Sequence, residues 1–547
     1  MSDEHLAAAP GPVEAFDAHG APVPRRRSGD LGPLLAVLAY VAVYVALRLA
    51  EHGGLERDEA EMVYLARDLR LGYGTQPPLY TWLQWLAFQA FGPDRFALAI
   101  VKAVSLGAIY VAMYRAALLW VGRAGALAAA ASLLLLPQIA WEALRIQTHS
   151  VLMIALACGL LWAYAALLAR PVAARYAAFG LVAGLGLLAK YNFGILLVGV
   201  AGASLLVRAH RAVLWNRRAP IAVLVAMLVL LPHAAWMAQH LDAAFSGTLH
   251  KMQDGGEHAP YLRRVLHGAL GLLSALAAFV TVPAIAFAFA GWPVRADLAP
   301  RARVSREAQT QTQGRDSAEG RFFLWLYALC LAQLALLVLL GLVGTIKERW
   351  LMPVLFSLPL ALLVLLPALR RPAPSRRLLG IAAVAAIATL ALLPARIRFG
   401  PAIGKTVAAH YPYVPLAQAL ARRYPGAQAV VANDVMLAGN LLFAQAGAPA
   451  LHTAAQAILL DDLLRGPRPL QGEVLLVTQD GYPQGIGAEF HAAYPAARLL
   501  AKERLELPLR FGGRGMLGFT VECLWLDAPA APQPPLTAQA ARATGPP

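Results

Sequence analysis

Acidic side chains concentrated in one short segment are the first feature of this 547-residue sequence that could perform chemistry. The segment Arg57-Asp58-Glu59-Ala60-Glu61 holds three carboxylates just after an apolar run. A carboxylate beside a bound anionic substrate can act as a general base or stabilise positive charge that develops during a reaction. The alternative is a solvated helix start with Asp58 as its N-cap, because acidic residues stabilise a first helical turn. Spacing alone favours this alternative.

Two other polar segments could contribute to a site. The turn GYGTQPPLYTW at residues 72–82 combines Gly and paired Pro with aromatic residues typical of a membrane interface, and on its own indicates a loop that anchors the next helix. The segment at residues 250–258, HKMQDGGEH, is either a flexible acceptor-binding lid or, as we prefer, a polar connector. Neither segment has the spacing of a metal-binding motif, so we expect no metal and no cofactor.

Composition places these segments in a membrane protein. Hydrophobic residues make up 59% of the chain and charged residues 14%, which excludes an ordinary soluble globular protein. The net charge of +16 would indicate nucleic-acid binding in a soluble protein, but the basic residues lie between apolar runs, so we expect no nucleic-acid partner. The three cysteines show no paired spacing, which excludes a disulfide framework and a zinc site.

The apolar runs predict a polytopic α-helical protein with about eleven transmembrane helices. They are expected at residues 32–49, 95–114, 124–140, 149–169, 176–189, 192–208, 219–238, 266–291, 322–344, 351–369 and 378–395. Residues 1–31 lack the apolar core of a signal peptide and predict a disordered cytoplasmic tail. Loops on the tail's side carry about twice as many Lys and Arg residues as the opposite loops, which predicts a cytoplasmic N-terminus and an external C-terminus.

The regions outside the bilayer are unequal in size. The first outer loop, residues 51–94, carries the acidic segment, and Met62, Leu65 and Leu69 are spaced as in an amphipathic helix on the membrane surface. Residues 396–527 alternate short apolar strands with helical stretches and predict a small α/β domain on the outer face. Residues 528–547 are rich in Pro and Ala and predict a disordered tail.

Several weak motifs in this order resemble the class C glycosyltransferases, over residues 32–395. The nearest families are the protein O-mannosyltransferases and the aminoarabinose transferases that modify lipid A. The matching residues are Asp58, Glu59, Tyr64, Arg67, the segment QPPLY at 76–80, the segment LAKYNF at 188–193 and the segment KERWLMP at 347–353. The sequence departs from the pattern at Gln76, where aminoarabinose transferases have Lys, and at His149, near which many relatives have Asp.

The resemblance implies a sugar donor carried on a polyprenyl phosphate. It assigns Asp58 as the catalytic carboxylate and Glu59 as its neighbour, and a leaving phosphate at the membrane surface requires cations. The candidates for binding the donor phosphate or the substrate are Arg67, Arg145, His149, Lys190, Tyr191, Lys347 and Arg349. For each cation the alternative is a side chain that snorkels from a helix end to the interface. A lone histidine at a helix end is more commonly an interfacial residue.

These expectations describe a glycosyltransferase of the bacterial inner membrane with its site on the periplasmic face. A single displacement at the anomeric carbon would invert the donor's configuration, and Asp58 would deprotonate an acceptor hydroxyl or orient an ionised phosphate acceptor. Lipid A or lipopolysaccharide is the preferred acceptor, with a protein or another surface glycan as the alternative. The expected partners are the lipid-linked donor, a lipid or glycan acceptor and membrane lipids. A flippase or transporter of lipid-linked sugars is the alternative from another class.

Overall fold

The computed structural model describes residues 31–241, 260–292, 316–447, 456–465, 469–481 and 486–530. Residues 1–30 and 531–547 of the two predicted tails and the segment 250–258 lie outside these ranges. The C-terminal strand continues to Ala530, so residues 528–530 of the predicted tail are part of a strand.

Helices dominate the described chain. They are α1 (Leu31–Ala50), α2 (Arg57–Leu65), α3 (Leu79–Phe91), α4 (Arg95–Ala131), α5 (His149–Ala169), α6 (Ala173–Ala189), α7 (Phe193–Leu206), α8 (Arg208–Leu214), α9 (Ala219–Gln239), α10 (Tyr261–Gly291), α11 (Ala318–Leu339), α12 (Met352–Leu355), α13 (Leu358–Leu365), α14 (Pro372–Phe399), α15 (Tyr413–Arg423), α16 (Val435–Ala446), α17 (Leu460–Arg465) and α18 (Ile486–Ala493). A π-helical turn, Gln138–Glu142, leads into the short helical turn Ala143–Arg145 before α5.

Seven of the described helices are long and apolar enough to cross a membrane: α1, α4, α5, α9, α10, α11 and α14. Helices α7 and α8 together would form an eighth span, bent by 119°. The chain is therefore a multi-pass membrane protein, but length and composition do not give the predicted eleven spans. Each predicted apolar run is largely helical, and the difference lies in breaks and short lengths.

Three local features account for the difference. The predicted spans 95–114 and 124–140 belong to one long helical segment, Arg95–Leu135, which counts as a single span although it kinks at Gly122, where φ is 71° and ψ −178°. Helix α6 has only 17 residues, fewer than the roughly 20 that cross a bilayer. The predicted span 351–369 is split into α12 and α13, each shorter than a bilayer crossing.

A five-stranded mixed sheet follows the helical region. Its strands are β1 (Ala429–Ala432), β2 (Gln456–Leu459), β3 (Leu470–Gln479), β4 (Arg498–Pro508) and β5 (Met516–Ala530). The order is β2-β1-β3-β5-β4, with β1 parallel to β2 and β3, and β5 antiparallel to β3 and β4. Apolar clusters cover both faces of the sheet. We call the described parts of residues 413–530 the sheet domain.

Candidate active site

Helix α2 carries the acidic segment and lies between the helical bundle and the sheet domain. The helix ends at Leu65, so Leu69 lies beyond it and is exposed, while Met62 is buried in the bundle core. The expected amphipathic surface helix is therefore shorter than predicted, and its apolar face is covered by protein. The reason is that residues of α16 pack on this helix, which the local spacing cannot reveal.

Asp58 lies at one end of the bundle, which we call the site end, and we call the region between Asp58, Lys190 and Arg349 the cleft. The side chain is half-buried, and the backbone N–H of Thr148 donates a hydrogen bond to it. Three cations act on it electrostatically: Lys102, Lys190 and Arg349. Desolvation outweighs their attraction and raises the pKa of Asp58 above its ordinary value. A carboxyl whose pKa is raised is better suited to accept a proton than an ordinary aspartate.

Glu59 points to the opposite side of α2, into the protein interior. Its two carboxylate oxygens accept from Arg48 Nη2 at 2.5 Å and from Lys102 Nζ at 3.3 Å. Burial alone would raise the pKa of Glu59, but these two cations lower it well below its usual range. The two adjacent acids that the sequence groups together therefore face different surroundings.

Further ion pairs extend the cluster around Glu59. Arg48 also pairs with Glu51, and Arg396 of α14 lies 2.6 Å from Glu56 and 3.7 Å from Glu51. We call Arg48, Glu51, Glu56, Glu59, Lys102 and Arg396 the buried charge cluster. Its three cations and three carboxylates match in number, as buried charges require.

Two cations reach the Asp58 cleft from separate turns. Lys190 occupies the turn between α6 and α7 and donates to Ser150 Oγ at 2.6 Å. Burial and the neighbouring Arg349 lower the pKa of Lys190 to about 8. Arg349 lies on the 3₁₀ turn before α12, and Gln138 Nε2 holds the adjacent Glu348 at 2.9 Å. The π-helical turn that carries Gln138 thus ties down the turn that carries Arg349.

Buried polar atoms without partners lie on the turns that form this cleft. They are Gln138 Oε1, Gln147 Oε1, Thr148 Oγ1 and Asn192 Oδ1. Buried polar groups in proteins nearly always find a hydrogen-bond partner, so a group of exceptions at one place marks a surface that a polar ligand could satisfy. Among the described residues, no group of three or more His, Cys, Asp and Glu side chains could hold a metal ion.

The remaining predicted residues occupy different places. His149 begins α5, is 4% exposed and packs its ring 5.4 Å from that of Tyr80. Tyr191 hydrogen-bonds His233 Nε2 at 2.9 Å, and Lys347 is exposed just before the Arg349 turn.

Two predicted cations have protein partners of their own. Arg145 makes two 3.1 Å contacts with Glu142. Arg67 packs 4.4 Å from the ring centre of Tyr64 and donates to the carbonyl of Ala457 in β2 at 3.5 Å, so it lies at the sheet domain. Neither residue is among the cations that act on Asp58.

The sheet domain holds α2 through directional contacts. Asn440 of α16 accepts from the N–H of Leu55 at 2.6 Å and donates to its carbonyl at 3.1 Å. A Cβ added at Gly439 would lie 2.0 Å from the carbonyl oxygen of Ala60. Arg57 pairs with Asp434 at 2.8 Å, and the hydroxyl of Tyr64 donates to Asp462 at 2.7 Å.

Sequence reasoning missed Lys102 and Asn440. Lys102 is fully buried within the apolar helix α4, and an ionisable residue inside such a helix is a recognised sign of a functional or paired position. Asn440 carries no comparable signal, because its partner Leu55 is 385 residues away in the chain.

Comparison with a family model, with relatives and with solved structures gives a match in each case. The family model described as dolichyl-phosphate-mannose-protein mannosyltransferase matches residues 75–236. The chain is 33% identical over 427 residues to the lipopolysaccharide core galacturonosyltransferase RgtB of Rhizobium johnstonii, covering 77% of this chain and 83% of the relative. It is 31% identical over 504 residues to the core galacturonosyltransferase RgtA of the same organism, covering 88% and 94%. The structure of ArnT from Cupriavidus metallidurans bound to undecaprenyl phosphate superposes with a TM-score of 0.54 at 13% identity, covering 90% of this chain and 98% of that one.

Proposed function

Because the chain belongs to the class C glycosyltransferases of the mannosyltransferase and aminoarabinose transferase family, we propose that it transfers one sugar from a polyprenyl phosphate to lipopolysaccharide with inversion. The observation that carries the proposal is the cleft in which Asp58 faces Lys190 and Arg349. A carboxylate near several cations matches a reaction that must accept a proton and stabilise a departing phosphate.

The proposed step is a single displacement at the anomeric carbon. An acceptor hydroxyl attacks this carbon while its bond to the phosphate oxygen breaks, and the polyprenyl phosphate departs with the bonding electron pair. Asp58 takes the hydroxyl proton, and Lys190 and Arg349 stabilise the charge that grows on the phosphate. Attack opposite to the leaving group inverts the configuration. If the acceptor is itself an ionised phosphate, Asp58 orients it and no base is needed.

A hexuronic acid is the donor sugar that the relatives favour. RgtA and RgtB are named as galacturonosyltransferases of the lipopolysaccharide core, and a third relative, RgtD, as a lipid A galacturonosyltransferase. The carboxylate of a uronic acid gives the donor a second negative charge beside that of its phosphate. The exposed turn with Lys347 and Arg349 offers two cations within three residues, which supports a donor with two anionic groups.

We assign different roles to the predicted site residues on this basis. Asp58, Lys190 and Arg349 act on the reacting groups, His149 closes the cleft beside Tyr80, and Glu59 belongs to the buried charge cluster that supports α2. Arg67, Arg145 and Tyr191 serve to fix neighbouring segments, since each has a protein partner. The site would face the periplasm, with the N-terminus in the cytoplasm of a bacterial inner membrane.

Mass spectrometry of the lipopolysaccharide core and lipid A from cells with and without the gene tests the proposal. Loss of a hexuronic acid residue from the deletion strain, and its return with the wild-type gene, would support the assigned acceptor. Loss of a neutral sugar or an aminosugar would reject the uronic acid donor. A change confined to a protein or to another glycan would identify that molecule as the acceptor. If no glycan changed, transport of a lipid-linked sugar would be favoured.

An assay with purified protein tests the choice of donor separately from the choice of acceptor. Polyprenyl-phosphate galacturonic acid should be consumed in the presence of core acceptor, and the galactose analogue should react at least tenfold more slowly, since it lacks the carboxylate that the basic turn would bind. Equal rates with both donors would contradict the charge argument.

A further inference from the structure

The end of the bundle opposite the Asp58 cleft carries a dense group of arginines. Helix α5 has 21 residues and runs from the site end at His149, so its far end lies about 30 Å away, the thickness of a bilayer core. The arginines lie on the two connections at this far end, between α5 and α6 and between α7 and α9. They are Arg170, Arg175, Arg208, Arg211, Arg217 and Arg218, which we call the basic patch.

The patch is one contiguous surface. Arg218 donates to the carbonyl of Pro171 at 3.1 Å, and the hydroxyl of Tyr176 donates to the carbonyl of Val213 at 2.7 Å, so the two connections are tied together. Leu167, Tyr176 and Val213 form a small apolar cluster beneath them. The arginines therefore keep their relative positions.

Carboxylate partners for these arginines are lacking in the described part of the chain. The sequence has no Asp or Glu between Glu142 and Asp242, and no described acid forms an ion pair with any member of the patch. Glu319, one of the described acids at this end, interacts with His210 and Arg370 instead. Six cations thus share one surface without described counter-charges.

The arginines divide into two groups by their contacts. Arg175, Arg211 and Arg218 donate to backbone carbonyls of Ala166, Leu205 and Pro171 and fix the turns. Arg170, Arg208 and Arg217 are exposed and make no such contact. Only the second group is fully available to a ligand.

An apolar groove opens beside Arg217. It has a volume of about 540 Å³ and is lined by Leu214, Trp215, Arg217, Val223, Leu224 and Met227. The Trp215 side chain is 76% exposed at its mouth. A guanidinium at the end of an aliphatic groove, at the depth of a bilayer surface, matches the phosphate and the acyl chain of a lipid.

We infer that the basic patch and this groove bind an anionic glycerophospholipid of the leaflet opposite the active site. Arg217, Arg208 and Arg170 contact the headgroup phosphate, and Val223, Leu224 and Met227 contact an acyl chain. Basic pockets between transmembrane helices are known to hold anionic headgroups by charge attraction. The inference is independent of the sugar transferred, because it concerns the other end of the molecule.

Tryptophan quenching by brominated lipids tests the site in the full-length protein without any donor. Protein in phosphatidylcholine nanodiscs should be quenched more strongly by brominated phosphatidylglycerol than by brominated phosphatidylcholine, and Trp215→Phe should remove the excess. Each neutralised arginine should weaken the preference about fivefold, so Arg208→Gln with Arg217→Gln should abolish most of it. Arg376→Gln, an exposed cation at the same end on α14, is the matched control and should keep it.

Three results would overturn the inference. Equal quenching by the two lipids means that the patch does not select charge. An equal loss in the Arg376→Gln control means that general surface charge, and not this site, attracts the lipid. Displacement by inorganic phosphate at constant ionic strength identifies a free phosphate site in place of a lipid site. Retention of phosphatidylglycerol by wild-type protein in native mass spectrometry, and its loss from the double variant, would support the inference.

Discussion

The two sides of helix α2 carry neighbouring acids in opposite situations. On the buried side, Glu59 has two cationic partners within a cluster whose charges match in number. On the cleft side, Asp58 meets Lys190 and Arg349 among polar atoms that lack partners. Charges that match in number and pair with one another stabilise a structure, whereas unpartnered polar atoms beside Asp58 leave capacity for a ligand. The residue types and spacing of Asp58 and Glu59 do not show which acid is structural and which could bind a ligand. The groups that surround each side chain do.

A substitution at Asp58 should have the largest effect and is the strongest test of the contrast between Asp58 and Glu59. Asp58→Asn keeps the shape of the side chain but removes its capacity to accept a proton, so kcat should fall by about a thousandfold. The melting temperature should stay close to that of the wild type, because no ion pair of the buried charge cluster is broken. Transfer to a core acceptor and thermal unfolding in detergent measure the two effects. Full activity in this variant would remove Asp58 from the chemistry.

Glu59→Gln should show the reverse pattern. Removing one partner of a buried ion pair leaves Lys102 without its carboxylate and should destabilise the protein by about 3 kcal/mol. The double variant Glu59→Gln with Lys102→Met removes both charges and should recover much of this loss. Thermal unfolding of the single and double variants gives the coupling between them. A stable Glu59→Gln variant with normal unfolding and lost activity would instead return Glu59 to a catalytic role.

The sequence predicts much of the fold but does not predict the different surroundings of Asp58 and Glu59. Long apolar runs predict helices because burial in lipid leaves only helical backbone satisfied, and the helices are found where these runs occur. The bend between α7 and α8 and the break between α12 and α13 depend on local conformation and packing, which hydropathy does not contain, whereas the kink at Gly122 lies between two predicted apolar runs. In the sheet domain, β1, β3 and β5 are short apolar segments of the kind from which strands are predicted. Strand β4 lies at an exposed edge and contains many charged residues, so its sequence does not predict a strand.

The candidate site was likewise predictable only in part. Asp58, Lys190 and Arg349 were named from the resemblance and lie within electrostatic reach of one another, although their catalytic roles stay predictions. Arg67 is also a residue of the resemblance, but its position depends on contact with β2, nearly 400 residues later in the chain. Contacts of that range leave no local periodicity, which is also why Asn440 was not predicted.

Asn440 offers a way to disturb the Asp58 side while sparing the buried charge cluster. Asn440→Leu removes both hydrogen bonds to Leu55, three residues before Asp58, and should let α2 shift. Small displacements of a catalytic group reduce rate strongly, so we expect kcat to fall about tenfold with little change in the donor KM. Arg423→Gln, which breaks an exposed pair with Glu503 within the sheet domain, is the control. Equal losses in both variants would mean that general stability of the sheet domain is responsible.

The smallest effect should come from the proton on Lys190. Its pKa is about 8, so the side chain is charged below that value and loses its charge as pH rises through it. A neutral amine binds the donor phosphate more weakly, and the donor KM should therefore rise above pH 8, by no more than tenfold per pH unit. Lys190→Arg keeps its charge throughout this range and should flatten the rise. Asp58 is protonated as pH falls, so it should lower kcat on the acidic side. Separate pH profiles of kcat and KM therefore distinguish the base from the phosphate-binding cation. A KM that rises equally in Lys190→Arg would assign the titration to another group and leave Arg349 as the cation that holds the phosphate.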